Sequence, residues 1–287
     1  MKRILFSVTI LLAIASCNKK QDNENTQIQT EQNISSEKIV SLNGAITEVL
    51  AALGEENNLV GVDVTSTYPE TIKGKVADLG HTRTISVESI LALKPTKVYA
   101  TSKDLKPEQI DQLKNAGITV EIINQEISVQ GTKDLISQIA KSLNKTDIQP
   151  IINTIDQDLK NVKPLENQPK VLFIYARGAG NLMVAGTNTP MEKVIELAGG
   201  VNAVKDFEDF KPLTAEAVIN ANPDYILMFD SGLESIGGVD GILKLEGIAN
   251  TNAGKNKKVI AMDGQLLSGF GPRVGKAAQE LNLNLQK

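Results

Sequence analysis

The chain has 287 residues, a formal charge of −4, one histidine, one cysteine and no tryptophan. An acidic balance argues against a nucleic-acid partner, a sole cysteine leaves no disulfide framework, and one histidine argues against a multi-histidine zinc or manganese site. Such a length suits two domains of ordinary size, each held by its own apolar core.

Lys2 and Arg3 precede an apolar run from Ile4 to Ala15 that ends in I-A-S-C at Cys17. A run of about a dozen apolar residues is too short to span a bilayer and suits a secretory signal over residues 1–16. Its end resembles a bacterial lipobox, which would make Cys17 the lipidated first residue of the mature chain. Residues 17–36 are polar and read as a flexible tether. The expectation is a monomer held at a membrane by lipid, with no spanning helix.

Strands then alternate with helices. Lys38–Leu42 reads as a strand, Ala45–Gly54 as a helix stopped by glycine, and L-V-G-V-D-V as a second strand, followed by a loop T-S-T-Y-P-E that contains Tyr68. From Ser86 the chain reads S-V-E-S-I-L-A-L-K-P-T-K-V-Y-A, and from Thr214 it reads T-A-E-A-V-I-N-A-N-P-D-Y-I-L-M. In both, a hydroxyl residue caps a short helix, an acid (Glu88 or Glu216) occupies its first turn, and a proline (Pro95 or Pro223) ends it before a strand.

Between the copies lie a helix near Pro107–Asn115, a strand I-T-V-E-I-I and a helix near Thr132–Leu143. Ile148, Ile151, Ile152, Ile155, Leu159 and Val162 then recur at spacings of three and four, predicting one helix with a single buried stripe. A strand from Lys170, a helix from Pro190, the second repeat, a strand K-V-I-A-M and a helix from Pro272 complete the chain. The pattern predicts an α/β protein of two Rossmann-like lobes with mainly parallel sheets. The first lobe is expected over 37–144 and the second over 167–287, joined by one long helix within 145–166 that allows only a small hinge motion. The crevice between such lobes is a natural ligand site.

The mature chain resembles, nearly end to end, the substrate-binding proteins of bacterial ABC importers that join two such lobes by one helix. V-S-L-N-G-A-I-T-E-V-L-A-A-L-G and L-G-H-T-R-T-I-S-V-E-S-I-L-A-L-K-P are shared with cobalamin and siderophore binders; T-S-T-Y-P and G-F-G-P-R resemble the haem-binding branch most closely. The resemblance implies haem captured between the lobes and delivered to an inner-membrane permease dimer with its ATPase, from the periplasmic side. A corrinoid or ferric siderophore is the alternative ligand, and a haem-processing or storage lipoprotein the alternative class.

The resemblance puts the axial iron ligand at Tyr68, since a phenolate is a hard anionic donor for ferric haem. Tyr99, Tyr175 and Tyr225 fall in strand-like runs, where an aromatic is ordinarily core. Beyond the signal the arginines are Arg83, Arg177 and Arg273, the residue type suited to a ligand carboxylate, with Arg273 and Arg83 ranked first. His81 is a candidate second ligand; similar proteins generally carry a different aromatic near it, which points to a lone loop histidine and five-coordinate iron. Scarce aromatics predict mostly aliphatic walls, with Met183, Leu266, Leu267 and Phe270 near the mouth. In relatives the repeated glutamate of each lobe meets permease arginines, which assigns Glu88 and Glu216 to docking. No phosphate loop and no nucleophile elbow accompanies them, so no catalytic residue is assigned.

Overall fold

A computed structural model of the protein describes residues 37–178 and 180–287. Cys17 and the 1–36 assignments lie outside the described residues. Among the described residues no helix is long and apolar enough to cross a membrane.

The first sheet forms from β1 (Ile39–Ser41), β2 (Leu59–Val62), β3 (Ala77–Asp78), β4 (Lys97–Thr101) and β5 (Thr119–Ile123), with α1 (Gly44–Ala52), α2 (Val87–Ala92), α3 (Pro107–Asn115) and α4 (Val129–Ser142) in the connections. Its order is β3-β2-β1-β4-β5 and every pairing is parallel. All of β1 and β4 is buried, as expected where helices cover both faces of a parallel sheet. In such a sheet ligands collect beyond the carboxyl ends of the strands, which is where the loops carrying Thr65–Tyr68 and Asn43 emerge.

Both repeats fold as their sequences dictate. Ser86 accepts a hydrogen bond from the Ser89 N–H at the start of α2. Thr214 does the same for Ala217 at the start of α7 (Ala215–Ala221). Each helix then delivers the chain to a central strand of its sheet.

After α5 (Gln149–Lys160), the chain forms β6 (Lys170–Ala176), β7 (Leu182–Ala185), α6 (Pro190–Leu197), β8 (Val201–Asn202) and β9 (Phe210–Pro212). Past α7 come β10 (Tyr225–Phe229), α8 (Asp230–Ser235), α9 (Gly238–Leu243), α10 (Asn252–Asn256), β11 (Val259–Met262), α11 (Gly264–Ser268) and α12 (Val274–Leu285). The sheet runs β11-β10-β6-β7-β9, with β8 beside the start of β6. The β10, β11 and β8 pairings are parallel, whereas β7 and β9 are antiparallel. These two antiparallel strands are absent from the sequence reading. Where the chain reverses between β6 and β7, Gly178 has φ +75° and the Arg177 N–H donates to Asn181 O at 3.3 Å.

The lobes are tied twice. Helix α5 lies between the two sheets in sequence, with Ile155 fully buried and Ile148, Ile151 and Leu159 partly so in the first lobe's core. Helix α12 packs alongside it, and Gly275 makes the close approach possible, since a Cβ there would sit 2.6 Å from Ile155 O. Ala277, Leu281 and Leu285 belong to the second lobe's core, whereas Phe270 and Val274 are inserted into the first. One chain segment therefore completes both cores.

Candidate functional site

Between the lobes lies a chamber of about 700 Å³. The first lobe supplies His81 and Arg83, from the loop after β3. The second supplies Tyr175 and Arg177 from the end of β6, Asn181 and Met183 from the next turn and strand, and Phe210, Phe229 and Ser268. A smaller chamber of about 280 Å³ adjoins it, sharing Tyr175, Arg177, Phe229 and Ser268 and adding Thr65, Thr67, Ser231 and Gln265.

His81 and Tyr175 each stand two residues before an arginine, one pair per lobe, and all four side chains line the same chamber. The Arg83 backbone N–H donates to His81 Nδ1 at 3.2 Å. A neutral imidazole that ligates iron through Nε2 carries its proton on Nδ1, so coordination would require this hydrogen bond to open, at a cost of order 1 kcal/mol. Tyr175 has no such obligation. Its ring meets Phe229 edge-on at 6.0 Å and lies 5.6 Å from the Arg177 guanidinium. Among the described residues its hydroxyl has no hydrogen-bond partner. The buried Tyr99 bonds Ser142, and the buried Tyr225 bonds Leu285 O and Lys258.

Tyr175 is half-buried: it packs against the second lobe's core on the same face of β6 as Val171 and Phe173, and its place next to the end of the strand lets it line the chamber as well. The walls depart from the aliphatic expectation. Phe210, Phe229, Tyr175, Met183 and Met191 make them aromatic and thioether-rich, because β7, β9 and β10 bring the few aromatics together. Leu266 and Leu267 are buried in the second lobe's core and Phe270, 2% exposed, in the first lobe's; of the predicted wall residues only Met183 lines the chamber.

Tyr68 is exposed at 43% in its loop, and its hydroxyl also lacks a partner among the described residues. It lines neither chamber. Its ring carries the Arg273 guanidinium 3.8 Å from the centroid, and the two line a separate groove of about 340 Å³ with Ala51, Ala52, Ile151 and Thr154. Arg273 is in turn held in a two-pronged pair with Glu48 of α1, Nε to Oε2 at 2.9 Å and Nη2 to Oε1 at 2.6 Å. Glu48 is only 4% exposed. Burial pushes its carboxyl above the usual range, and the Arg273 hydrogen bonds and charge partly offset this. Ranked first for a ligand carboxylate, Arg273 is already committed to a carboxylate of its own chain. The sequence signal for this was available: an acid inside the apolar stretch of α1 needs a cationic partner.

The loop before Tyr68 is set by Asp63, whose oxygens accept from Thr65 N–H and Oγ1 and from Ser66 Oγ at 3.1, 2.6 and 2.7 Å. Glu88 and Glu216 are both exposed in the first turns of their helices. Among the described residues no group of three or more histidine, cysteine, aspartate or glutamate side chains is arranged to hold a bare metal ion.

Comparison with known proteins fits this architecture. The family model described as periplasmic binding protein matches residues 39–266. The structure of the periplasmic heme-binding protein RhuT from Roseiflexus sp. RS-1 in apo form superposes with a TM-score of 0.81 at 39% identity, covering 86% of this chain and 97% of that one. The uncharacterized ABC transporter substrate-binding lipoprotein YvrC of Bacillus subtilis is 30% identical over 85% of this chain and 78% of its own length. The vitamin B12-binding protein of Yersinia pestis is 28% identical over 69% and 71%. With two α/β lobes, a chamber between them and a family match across most of its length, the chain belongs to the periplasmic binding protein family and is a substrate-binding component of the ABC-importer class.

Proposed function

We propose that the protein captures haem between its lobes and delivers it to an ABC permease. The observation that carries the reading is the convergence of two potential iron donors, His81 and Tyr175, from opposite lobes in one aromatic-walled chamber of about 700 Å³, each beside an arginine. Tyr175 is the primary donor: an unbonded phenol on a rigid strand end, whose phenolate suits ferric iron. His81 approaches from the other lobe once its bond to Arg83 opens, and Arg83 and Arg177 meet the ligand's carboxylates. The haem-binding structure at 39% identity supports the same ligand.

Two other readings each have an observation behind them. Tyr68 is a second unbonded phenol at the lobe interface, and it ligates iron if the ligand enters the groove at Arg273. The vitamin B12-binding relatives favour a corrinoid, which would need no phenolate.

Hemin titration of the purified protein, followed in the visible, separates them. Saturable binding with phenolate charge-transfer bands that vanish in Tyr175→Phe and persist in Tyr68→Phe supports the proposal, and His81→Ala then alters the Soret band. Loss in Tyr68→Phe alone moves the iron to the groove. Binding of cobalamin with no saturable hemin binding overturns haem.

Transport requires a permease and its ATPase as partners. Glu88 and Glu216, exposed at equivalent places on the two lobes, orient the protein on the two permease subunits. Exposed ion pairs contribute only about 0–1 kcal/mol each, so their effect is chiefly registration. Unimpaired transport by a Glu88→Ala/Glu216→Ala double variant would remove this role. The lipid anchor at Cys17 on the inner membrane belongs to the same reading, and labelling with a radioactive fatty acid, absent in Cys17→Ala, tests it.

A further inference from the structure

A cleft of about 710 Å³ opens at the base of the second lobe, where its strands begin, on the side away from the crevice. The chain joining α5 to β6 lines it over residues 164–169, together with Asp224, Tyr225 and Lys258 at the starts of β10 and β11 and the end of α12. Lysines gather around it. Lys258 lines the cleft, and Lys163, Lys170, Lys257 and Lys287 each adjoin a lining residue in the chain. The acids there are Glu166 and Asp224, and Asp224 is already engaged by the Lys170 N–H and by Asn252 Nδ2, both at 2.9 Å.

The base of the first lobe is different. There Lys97 pairs with Glu37 at 3.1 Å and Lys145 with Glu55 at 2.6 Å. Among the described residues none of the five second-lobe lysines lies within ion-pair distance of an acid. On a chain with a formal charge of −4, this unpaired basic patch is a local reversal of sign. Its position also fits a membrane. Glu88 and Glu216 start helices that run from the strand ends back toward the strand starts, so the patch lies on the side opposite to them. The chain enters the first sheet at its own base, through Glu37 and Lys38, and a tether attached there starts nearer to the bases than to the crevice. Helix α5 carries the chain from that base to the other.

We infer that the base of the second lobe is a contact surface for an anionic phospholipid membrane, on which Lys163, Lys170, Lys257, Lys258 and Lys287 meet headgroup phosphates and turn the crevice outward for loading. The inference rests on the protein being held at a membrane, and it is independent of which ligand the crevice takes. Each lysine at an anionic surface strengthens binding about fivefold, and the attraction fades within about 10 Å of the surface. The contact is therefore strong enough to orient a tethered protein and weak enough to release it for docking through Glu88 and Glu216.

The test uses the purified mature chain with Cys17→Ser, which keeps the tether and carries no lipid, and vesicles of phosphatidylcholine with or without one-third phosphatidylglycerol. Residues 17–36 hold two lysines and three acids, so the tether itself supplies no net attraction. In sedimentation at low salt the protein is expected to bind the anionic vesicles at least about tenfold more tightly than the neutral ones, and to lose the difference at about 0.5 M salt. Lys163→Gln/Lys170→Gln/Lys257→Gln is expected to weaken this binding about fivefold per lysine. The same charge change on the first lobe, Lys73→Gln/Lys103→Gln/Lys114→Gln, is expected to weaken it less than about twofold in total. All six side chains are exposed, so both variants keep the fold. Equal binding to neutral and anionic vesicles, or an equal loss in the two triple variants, overturns the contact surface. Either result leaves the anchor at Cys17 to the labelling experiment and the haem reading to the hemin titration.

Discussion

In the first lobe every strand pairing is parallel, and its contribution to the chamber is polar: hydroxyls of the Asp63–Thr67 loop, His81 and Arg83. In the second lobe the central strand β6 turns back into the antiparallel β7 and β9, and these add Met183 and Phe210 to the wall that Tyr175 and Phe229 form at the ends of β6 and β10. Both lobes are built on the same capped-helix repeat. The difference shows that the repeat sets the scaffold, and that the chemistry of the crevice comes from what each lobe adds at its strand ends. The lobes also differ in self-sufficiency, because the first lobe's core is completed by Phe270 and Val274 from the segment leading into α12.

That dependence yields the largest expected effect. Phe270→Ala is expected to lose about 3–5 kcal/mol, the range for emptying a buried aromatic site, and to destabilise both lobes in one transition. Urea unfolding followed by circular dichroism would contradict the shared core if it split into two transitions with only the first lobe's shifted. Next comes Glu48→Gln, which leaves the half-buried Arg273 guanidinium without its carboxylate. A loss of about 3 kcal/mol is expected, with a drop in melting temperature measurable by calorimetry. A near-neutral result would show that Arg273 turns to solvent when released from α1.

The equivalence of the repeats is sharpened by smaller changes. Ser86→Ala and Thr214→Ala each remove one N-cap and should each cost about 1 kcal/mol by the same unfolding measurement. A cost confined to one of them would mean that the two caps carry different loads.

The smallest effect is a pH dependence confined to the first lobe. Burial works to raise the Glu55 carboxyl, and hydrogen bonds from Lys145 and Asn58 outweigh it, so the group titrates below its ordinary 4.5. A lowered acid stabilises the fold above its unfolded value and loses that contribution as pH falls through the folded one. Glu55→Gln should therefore lower stability near pH 7 by under about 1 kcal/mol and flatten the acid limb of the stability curve. Glu48 and Asp63, both raised by burial, have the opposite sign: their titration favours the fold below the unfolded value and loses that as pH rises.

Local signals were readable where the physics is local. The caps at Ser86 and Thr214, the glycine stop at Gly54 and the apolar stripe of α5 are decided within a few residues of chain, and the structure has them as expected. The strands β7 and β9 were not readable, because Leu182–Ala185 and Phe210–Pro212 are short and gain their pairing only from β6. Tyr175 reads as core in a run of apolar strand residues. Only its place next to the end of β6 turns it into the chamber.

Sequence alone determined the α/β class, the two-fold repeat, the helix between the lobes and the few arginines, tyrosines and the one histidine from which a site could be drawn. These follow from hydrophobic period, caps and composition, which each segment carries with it. Tertiary structure decided which of those residues share a site. Arg273 was drawn to Glu48 because a buried acid on α1 requires a cation, one face of the Tyr68 ring was stacked by that same guanidinium, and His81, Arg83, Tyr175 and Arg177 met because strand ends of two separate sheets face one crevice.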